Sequence, residues 1–270
     1  MSKIPLGRTS EYPQEYAPDV LFALPRSSER ELLVPGGKLP FHGEDLWNAW
    51  ELTWLDASGK PLIGTATIRV DAASPNLIES KSLKLYLNSF AQTRQSSVAD
   101  VGRIISADLS AIAGALVEVA ITHGPDAGGL GIRSLPGSCI DNVPLDVTAT
   151  SVDSRLLARL EGDIVSEELH SHLLRSLCPV TAQPDMGSLL IRYHGPRIEP
   201  SSLLRYVVSY RQHQGFHEAC VEQIFVDIKE RCGPEKLTVY ARYNRRGGLD
   251  INPFRSDFED RPENLRLWRQ

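Results

Sequence analysis

Hydrophobic and polar residues follow two different periods along the chain, and each period occurs twice. The runs TATIRV at 65–70 and LLIRY at 189–193 are typical of β-strands. The runs VGRIISADL at 101–109 and CVEQIFVDI at 220–228 place apolar residues three or four positions apart, as one face of a helix does. Further strand-like runs follow the predicted helices, ALVEVAI at 115–121 and KLTVYARY at 236–243. Each half therefore predicts the order strand–strand–helix–helix–strand–strand, which is an α+β fold.

The two halves also share sequence between these elements. Residues 79–90 read ESKSLKLYLNSF and residues 199–210 read EPSSLLRYVVSY, and their Glu, Ser, Leu and Tyr recur at a constant offset. A unit that recurs in this way indicates duplication. A stretch rich in Gly, Pro and Asp at 124–150 supplies the boundary. We therefore predict two related modules, 1–150 and 151–270, with antiparallel sheets and helices packed on one face.

Composition and charge narrow the class of protein. With 270 residues, 41% hydrophobic and 23% charged, the chain can form a substantial core. A formal net charge of −5 argues against a nucleic-acid-binding surface. The N-terminus lacks a signal sequence, and the most apolar run, AIAGALVEVAI, is too short to cross a bilayer. The four cysteines form no CxxC pair. We expect a cytoplasmic protein with free thiols and no membrane or nucleic-acid partner.

The segment LCPVTAQPDMG at 177–187 joins a cysteine to an acid. Pro179 and Pro184 predict a stiff loop that holds Cys178 and Asp185 at a fixed separation. A thiol is a good nucleophile only as the thiolate, and a nearby carboxyl group can take its proton and return it elsewhere. The alternative is that Cys178 is a small buried core residue. Spacing alone leaves both interpretations open.

The segment GFHEACVEQIF allows two interpretations as well. Phe216, Cys220 and Ile224 have helical spacing and are expected in the core. His217 and Glu218 lie at the predicted helix start, where the helix dipole favours a glutamate. An adjacent His and Glu also offer a proton-transfer group and a carboxylate that suits a donor-rich ring.

The segment ESKSLKLY carries the third candidate. In one interpretation Ser80 or Ser82 caps a helix, and the lysines lie on a solvated face. In the other, Lys81 and Lys84 lie on one face near a helix N-terminus, which favours a phosphate-bearing ligand. Arg246, which precedes a glycine pair, suits phosphate contact in the same way.

Neither a dinucleotide fingerprint nor a zinc motif is convincing. The string Gly129-x-Gly131-x-x-Ser134 lacks the third small residue and a following helix pattern, so a nicotinamide cofactor must bind in another way. His170 and His172 form the only tight histidine pair, and no cysteine lies at finger or ribbon spacing from them. We predict a half-exposed strand there and no metal among the site residues.

Together the three motifs resemble one family, 7-cyano-7-deazaguanine reductase, the NADPH-dependent nitrile reductase of queuosine biosynthesis, a tRNA modification. The family signature E-(S/L)-K-(S/A)-hydrophobic-K-(L/Y)-aromatic is matched at every position by residues 79–86. The SLCPVTAQPD and FHE segments look like the family's catalytic stretches. The resemblance covers nearly the whole chain and matches the long form of the family. It implies tandem tunnelling-fold modules.

The resemblance also implies a mechanism. Cys178 would attack the nitrile carbon and form a covalent thioimide, Asp185 would protonate the nitrile nitrogen, and His217 would assist the proton transfers. Two NADPH would then reduce the adduct to the aminomethyl product. The residues that the resemblance assigns to the substrate are Ile78, Glu79, Ser80, Phe216, His217 and Glu218. Those that it assigns to NADPH are Ser80, Lys81, Arg246 and Gly247.

Other functions remain open at this point. A GTP-cyclohydrolase-like or pterin enzyme of the same fold would also hold a purine-like ring with a glutamate, but the cyclohydrolase needs a Cys/His zinc set. A nitrilase-like hydrolase would consume no NADPH. A non-catalytic module that binds a purine-like ligand would leave Cys178 without a role. Tunnelling-fold modules generally pair their sheets into closed barrels, so we expect a homodimer.

Overall fold

The computed structural model of the chain describes residues 12–124, 131–146 and 151–270. The chain forms two compact units. Unit 1 comprises Met1–Ser28, Asp45–Gly131 and Arg245–Asp250, and unit 2 comprises Glu29–Glu44, Ile132–Asn244 and Ile251–Gln270. Among the described residues, no helix combines the length and apolarity that crossing a membrane requires.

The regular elements are named in chain order. The strands are β1 (Ala23–Pro25), β2 (His42–Leu55), β3 (Pro61–Asp71), β4 (Asn76–Ile78), β5 (Val117–His123), β6 (Ser138–Cys139), β7 (Arg159–Leu177), β8 (Pro184–Ile198), β9 (Lys236–Tyr243) and β10 (Leu249–Ser256). The α-helices are α1 (Ser27–Leu33), α2 (Ser80–Asn88), α3 (Val98–Ala113), α4 (Pro200–Ser209) and α5 (His217–Cys232).

Unit 1 is built on a sheet with the strand order β5–β3–β2. Strands β3 and β5 are antiparallel, with Ile68 opposite Val119. Burial along β3 alternates, so that one face of the strand lies in the core and the other is half-exposed. Helix α3 buries Val101, Ile105 and Leu109 and packs against β5. The sheet and this helical face form the core of the unit.

Unit 2 contains the sheet order β10–β9–β8–β7–β6. Strand β8 pairs antiparallel with both β7 and β9, whereas β6 pairs parallel with β7. The core of this unit joins residues of β7, β8 and β9 to buried faces of α4 and α5. On α5 these include Cys220 and Ile224, as predicted, and Phe225, whereas Phe216, which was also expected in the core, lies before the helix and is only half-buried.

The predicted α+β class with antiparallel sheets is confirmed. Unit 1 contains the order strand–strand–helix–helix–strand in β2, β3, α2, α3 and β5, and unit 2 repeats it in β7, β8, α4, α5 and β9, followed by β10. Short stretches of chain, such as Glu29–Glu44 and Arg245–Asp250, belong to the unit formed mainly by the other half. A module boundary at residue 150 stays a prediction. Residues 125–130 and 147–150, and with them Gly129, lie outside the described residues.

Candidate active site

Cys178 lies in the tight loop of the β7–β8 hairpin, residues 178–183. Its N–H donates to the carbonyl oxygen of Gln183 at 2.9 Å, and the Ala182 N–H donates to the Cys178 carbonyl at 3.0 Å. Ala182 takes a φ of +54°, a left-handed conformation that is costly for a residue with a Cβ. The Cys178 side chain is only 5% exposed. The backbone therefore holds the thiol in a defined, nearly dry position.

Asp185 belongs to the strand that leaves this loop. It is 2% exposed and lies opposite Ser176 in the β7–β8 register, one step from the pair of Leu177 and Pro184 that closes the strands. The hairpin thus brings the predicted nucleophile and the predicted acid to the same end of the same two strands. Bulk water therefore has little access to this carboxyl group.

The chain before α5 is hydrogen-bonded beside the loop. The Leu177 N–H donates to the His213 carbonyl at 2.8 Å, and the Gly215 N–H donates to the Leu177 carbonyl at 3.1 Å. As a result, His217 Nε2 lies 3.6 Å from Asp185 Oδ2. The structure therefore brings together the side chains of His217 and Asp185, two of the three predicted catalytic residues. It also fixes the backbone of Leu177, the residue before Cys178.

The start of α5 is unusual for a helix. The N-cap position is occupied by Phe216, whose side chain makes no capping hydrogen bond. His217 and Glu218 fill the first turn, and Glu218 is 4% exposed. The helix N-terminus contributes a positive potential at this place, which stabilises a carboxylate. The start of α5 therefore carries the buried carboxylate of Glu218 and the half-buried aromatic ring of Phe216.

Buried polar side chains that the sequence analysis missed line the same region. Burial raises the pKa of the Cys220 thiol to about 12, and nearby carboxylates add to the effect, so this thiol stays protonated and unreactive. Burial also raises the pKa of Tyr243 well above its ordinary value. Its ring packs edge-on against His217, with centroids 4.1 Å apart. Within the described residues, the hydroxyls of Ser176 and Tyr243 are buried without a hydrogen bond of ordinary length.

Part of this could have been found in the sequence. Ser176 lies two residues before Cys178 in the sequence, and in the hairpin it lies opposite Asp185, so the Ser176 and Asp185 side chains share a face of the strands. The proximity of Tyr243 depends on the pairing of β9 with β8, where it lies opposite Gly187. A Cβ at Gly187 would come within 3.2 Å of the Tyr243 ring. Only long-range strand register reveals that neighbour.

Glu79, in unit 1, caps α2. Its carboxylate is 1% exposed and accepts hydrogen bonds from the backbone N–H groups of Lys81 and Ser82, each at 2.8 Å. The prediction that Ser80 or Ser82 caps the helix is therefore wrong. The Ser82 hydroxyl instead donates to the Glu79 carbonyl. A charged carboxylate that bonds two amides at the positive end of the helix is a stronger cap than one hydroxyl.

Two of the predicted cofactor residues of unit 1, Arg246 and Gly247, belong to a glycine turn. Arg246 and Leu249 exchange backbone hydrogen bonds of 2.8 and 3.2 Å across Gly247 and Gly248. The glycines have φ values of +58° and +78°, which only glycine adopts readily at both places. A Cβ at Gly247 would lie 3.2 Å from Cδ of Lys84, so α2 passes directly over the turn.

This turn borders a cavity of about 180 Å³. Its lining includes Lys84, Asn88, Glu51 and the two glycines. Lys81 lies one turn before Lys84 on the same helix, and Ser80 begins that helix. Cationic side chains beside glycine backbone form the donor set that a phosphate-bearing cofactor requires. Lys84 and the glycine backbone therefore fit a phosphate group of NADPH, whereas Glu51 in the same lining opposes one.

The structure thus divides the predicted site residues between the units. Unit 2 holds Cys178, Asp185, Phe216, His217 and Glu218. Unit 1 holds Ile78, Glu79, Ser80, Lys81, Arg246 and Gly247. Ile78 ends β4 and is 4% exposed.

Comparisons with known proteins agree with these motifs. A family model described as "Nitrile reductase, 7-cyano-7-deazaguanine-reductase N-term" matches residues 12–121, and one described as "QueF-like protein" matches residues 184–262. The NADPH-dependent 7-cyano-7-deazaguanine reductase of Paraburkholderia phytofirmans is 51% identical over 268 residues, which is 98% of each chain. That of Chromohalobacter salexigens is 53% identical and covers 98% of this chain and 96% of its own.

A solved structure also matches in part. It is the apo form of an archaeosine synthase QueF-Like, with 17% identity and a TM-score of 0.31, over 36% of this chain and 95% of that one. A likeness of that extent supports no conclusion about this chain.

Proposed function

Because this chain belongs to the NADPH-dependent 7-cyano-7-deazaguanine reductase family, we propose that it reduces the nitrile of 7-cyano-7-deazaguanine to a primary amine with two NADPH. Membership makes it an NADPH-dependent oxidoreductase that acts on a nitrile. The product, 7-aminomethyl-7-deazaguanine, and a place in queuosine biosynthesis belong to the proposal. The observation that carries it is the pairing of His217 with Asp185 at the hairpin that holds Cys178.

The first step is addition of Cys178 to the nitrile carbon. The thiolate sulfur forms a bond to that carbon while one π pair of the C≡N bond moves to nitrogen. Asp185 gives a proton to that nitrogen, which yields a neutral thioimide. Support comes from the backbone hydrogen bonds that fix the Cys178 loop and from the buried position of Asp185 at the end of the same two strands. A proton donor beside a reacting nitrogen typically contributes 10²–10⁴-fold in rate, as an order of magnitude.

Bound NADPH supplies the hydride for each of the two reductions. After the first, the C–S bond breaks, Cys178 leaves as the thiolate, and an imine remains. After the second, the nitrogen takes its last proton and becomes the amine. His217, at 3.6 Å from Asp185, returns a proton to that carboxylate between the two reductions. The balance is one nitrile, two hydrides and two protons for one amine.

We propose that NADPH is held by Ser80, Lys81, Arg246 and Gly247, and we add Lys84. Support comes from the contact of the Lys84 stem with the Gly247 turn and from the cavity beside it. Lys81 and Arg246 would neutralise phosphate charge, whereas the glycine turn admits close approach of a ligand to the backbone.

The residues proposed to contact the substrate offer carboxylate and aromatic groups. Glu218 is a buried carboxylate that suits the ring N–H and amino groups of a guanine-like edge. Phe216 offers an aromatic face in place of a capping side chain. Glu79 already accepts two backbone hydrogen bonds, and a carboxylate has further lone pairs for a substrate donor. Contacts of Ile78 and Ser80 with the substrate remain predictions from the resemblance.

The test is the stoichiometry of the reaction. We expect purified protein to oxidise two NADPH for each 7-cyano-7-deazaguanine consumed, with the aminomethyl compound identified by mass spectrometry. Cys139→Ser, which changes an exposed thiol, is the matched control and should leave the ratio unchanged. Nitrile consumption without NADPH oxidation, with a carboxylic acid as product, would make the enzyme a hydrolase and contradict the proposal.

Homodimer formation, a cytoplasmic location and the lack of nucleic-acid and membrane partners are also parts of this proposal. They rest on the closure of tunnelling-fold sheets between chains and on the acidic net charge of −5. Light scattering of the purified protein should give twice the mass of one chain. A monomer at the concentration of the activity assay would contradict the dimer.

A further inference from the structure

A second cluster of reactive side chains lies in unit 2, and the proposed reaction does not use it. Cys139, His170 and His172 each offer one ligand atom, and these atoms all lie within 4.8 Å of one another. Strand β6 runs parallel to β7, with Cys139 opposite His170. His170 and His172 are two residues apart on β7, so they share a face of the strand. The Ile140 N–H donates to the His170 carbonyl at 2.9 Å and fixes this register.

Both imidazole rings are already oriented by their Nδ1 atoms. His170 Nδ1 lies 2.9 Å from the Pro136 carbonyl oxygen, to which it must donate. His172 Nδ1 lies 2.8 Å from Ser188 Oγ. When Nδ1–H donates in both rings, each Nε2 carries the lone pair that a metal requires. Protein ligands of zinc typically have such a partner behind the imidazole.

The charges around the cluster partly offset one another. Asp141 accepts hydrogen bonds from the Ser171 hydroxyl and the His172 N–H, and its negative charge favours a cation. Arg269 opposes a cation, because its positively charged guanidinium lies beside the cluster. It donates there to the His172 carbonyl and to Ser188 Oγ. Cys139 is exposed, so an ion from solvent can reach the cluster.

We propose that Cys139, His170 and His172 bind one Zn²⁺ ion, with water as the fourth ligand. The chemistry is that of a borderline-soft ion, which prefers one thiolate and neutral imidazoles. Ligand atoms around tetrahedral zinc lie roughly 3.3–3.6 Å apart, given Zn–N and Zn–S bonds of about 2.0 and 2.3 Å. Binding would draw the ligand atoms, which lie within 4.8 Å of one another, to these separations. Binding releases the thiol proton and ties the segment that contains β6 to β7.

Short spacings between ligand residues along the sequence predicted no metal at this place. Cys139 and His170 are far apart along the chain, and only the parallel pairing of β6 and β7 brings them together. This cluster does not restore the cyclohydrolase alternative, since the family of the chain is the nitrile reductase family.

Metal binding can be tested with Co²⁺ as a spectroscopic probe. Protein freed of metal with a chelator should bind one Co²⁺ per chain and develop a thiolate-to-cobalt charge-transfer band. Cys139→Ser should remove that band. His194→Ala, which removes a half-exposed histidine of β8 outside the cluster, is the matched control and should keep it. The same cobalt spectrum in Cys139→Ser would overturn the proposal.

Protection of the thiol gives a second test that needs no variant. Zn²⁺ should slow alkylation of Cys139 by iodoacetamide at least about tenfold, read by peptide mass, because a metal-bound thiolate no longer reacts freely. The buried Cys232 serves as an internal control, since its modification should stay negligible with and without Zn²⁺. Ser188→Ala should weaken Zn²⁺ binding about tenfold by releasing His172. An alkylation rate of Cys139 that Zn²⁺ does not change would overturn the proposal, even if Cys139→Ser fails to fold.

Discussion

The helix that follows the hairpin begins in the same way in both units, but the next helix does not. Glu79 caps α2, and Glu199 caps α4 by accepting a hydrogen bond from the Ser202 N–H. In unit 1 the second helix, α3, begins at Ser97, whose hydroxyl accepts from the Asp100 N–H. In unit 2 the corresponding helix, α5, begins at Phe216 without a side-chain cap. Unit 2 therefore lacks the side-chain cap that unit 1 has at this helix.

The β2–β3 and β7–β8 hairpins also differ in local stabilisation, and again unit 1 is the more stabilised. The β2–β3 turn of unit 1 is an ordinary turn in which the Asp56 carboxylate accepts from the Ser58 and Lys60 N–H groups. A further hydrogen bond from the Ser58 hydroxyl contributes most to lowering the pKa of Asp56, and the bonds from the backbone N–H groups add to it. The β7–β8 loop of unit 2 instead holds a buried thiol, and a residue that is not glycine adopts a left-handed conformation there.

The comparison distinguishes contacts that maintain the fold of both units from residues that are proposed for catalysis in unit 2. Tyr86 donates to Asp108 in unit 1, and Tyr206 donates to Asp227 in unit 2, so the helix-to-helix contact is retained in both. The candidate catalytic residues occupy the two places where unit 2 lacks the local stabilisation found in unit 1. Departures from local rules of this kind are expected at functional sites.

The largest effect is expected from the acid of unit 2. Asp185→Asn should reduce kcat by about 10²–10⁴-fold, because the nitrile nitrogen loses its proton donor. Asp56→Asn is the matched change in the hairpin of unit 1 and should leave kcat unchanged. Steady-state NADPH oxidation measures both. Equal rates for Asp185→Asn and the unaltered enzyme would remove Asp185 from the mechanism.

The next largest effect concerns stability and pH. Burial of Glu222 disfavours its charge, but Arg255 and Arg30, each 2.7 Å away, outweigh that and lower its pKa below the ordinary value of 4.5. Glu222→Gln leaves two arginines without their carboxylate and should lower the free energy of unfolding by about 3–5 kcal/mol at neutral pH. The folded pKa is depressed, so this stabilisation is present above about pH 4.5 and is lost as the pH falls further.

Urea unfolding at several pH values measures that prediction. The difference between Glu222→Gln and the unaltered protein should shrink in acid. Unit 1 offers a comparison in Asp45→Asn, which removes a buried carboxylate that pairs with Arg26. A difference for Glu222→Gln that grows as the pH falls would contradict the sign of the pKa shift.

The smallest effects test the two helix starts directly. Ser97→Ala should lower the free energy of unfolding by about 1 kcal/mol and leave KM unchanged, because it removes only a cap. Phe216→Ala removes no cap and should instead raise KM for the nitrile about tenfold through lost contact with the ring. Urea unfolding and substrate titration separate the two. If Ser97→Ala changed KM as strongly as Phe216→Ala, the assignment of ligand contact to the start of α5 would fail.

Periodicity predicted the elements well because it reports local burial. The strand expected at 236–243 has those limits, and the helix expected at 220–228 lies within α5. Hydrophobic periodicity could not predict two features of the molecule, for different reasons. Glutamate is not among the preferred N-cap residues, so the sequence predicts a serine rather than Glu79 as the cap of α2. The neighbours Ser176 and Tyr243, like Cys139 and His170, depend on pairing between distant strands, which no local spacing encodes.

One measurement tests most directly whether the chemistry lies at the hairpin of unit 2. Intact protein is incubated with 7-cyano-7-deazaguanine in the absence of NADPH, and its mass is recorded before and after proteolysis. The mechanism predicts an adduct equal to the full mass of the nitrile, on the peptide that contains Cys178, and its absence in Cys178→Ala. An unmodified protein, or an adduct on another cysteine, would contradict the assignment of Cys178 as the nucleophile.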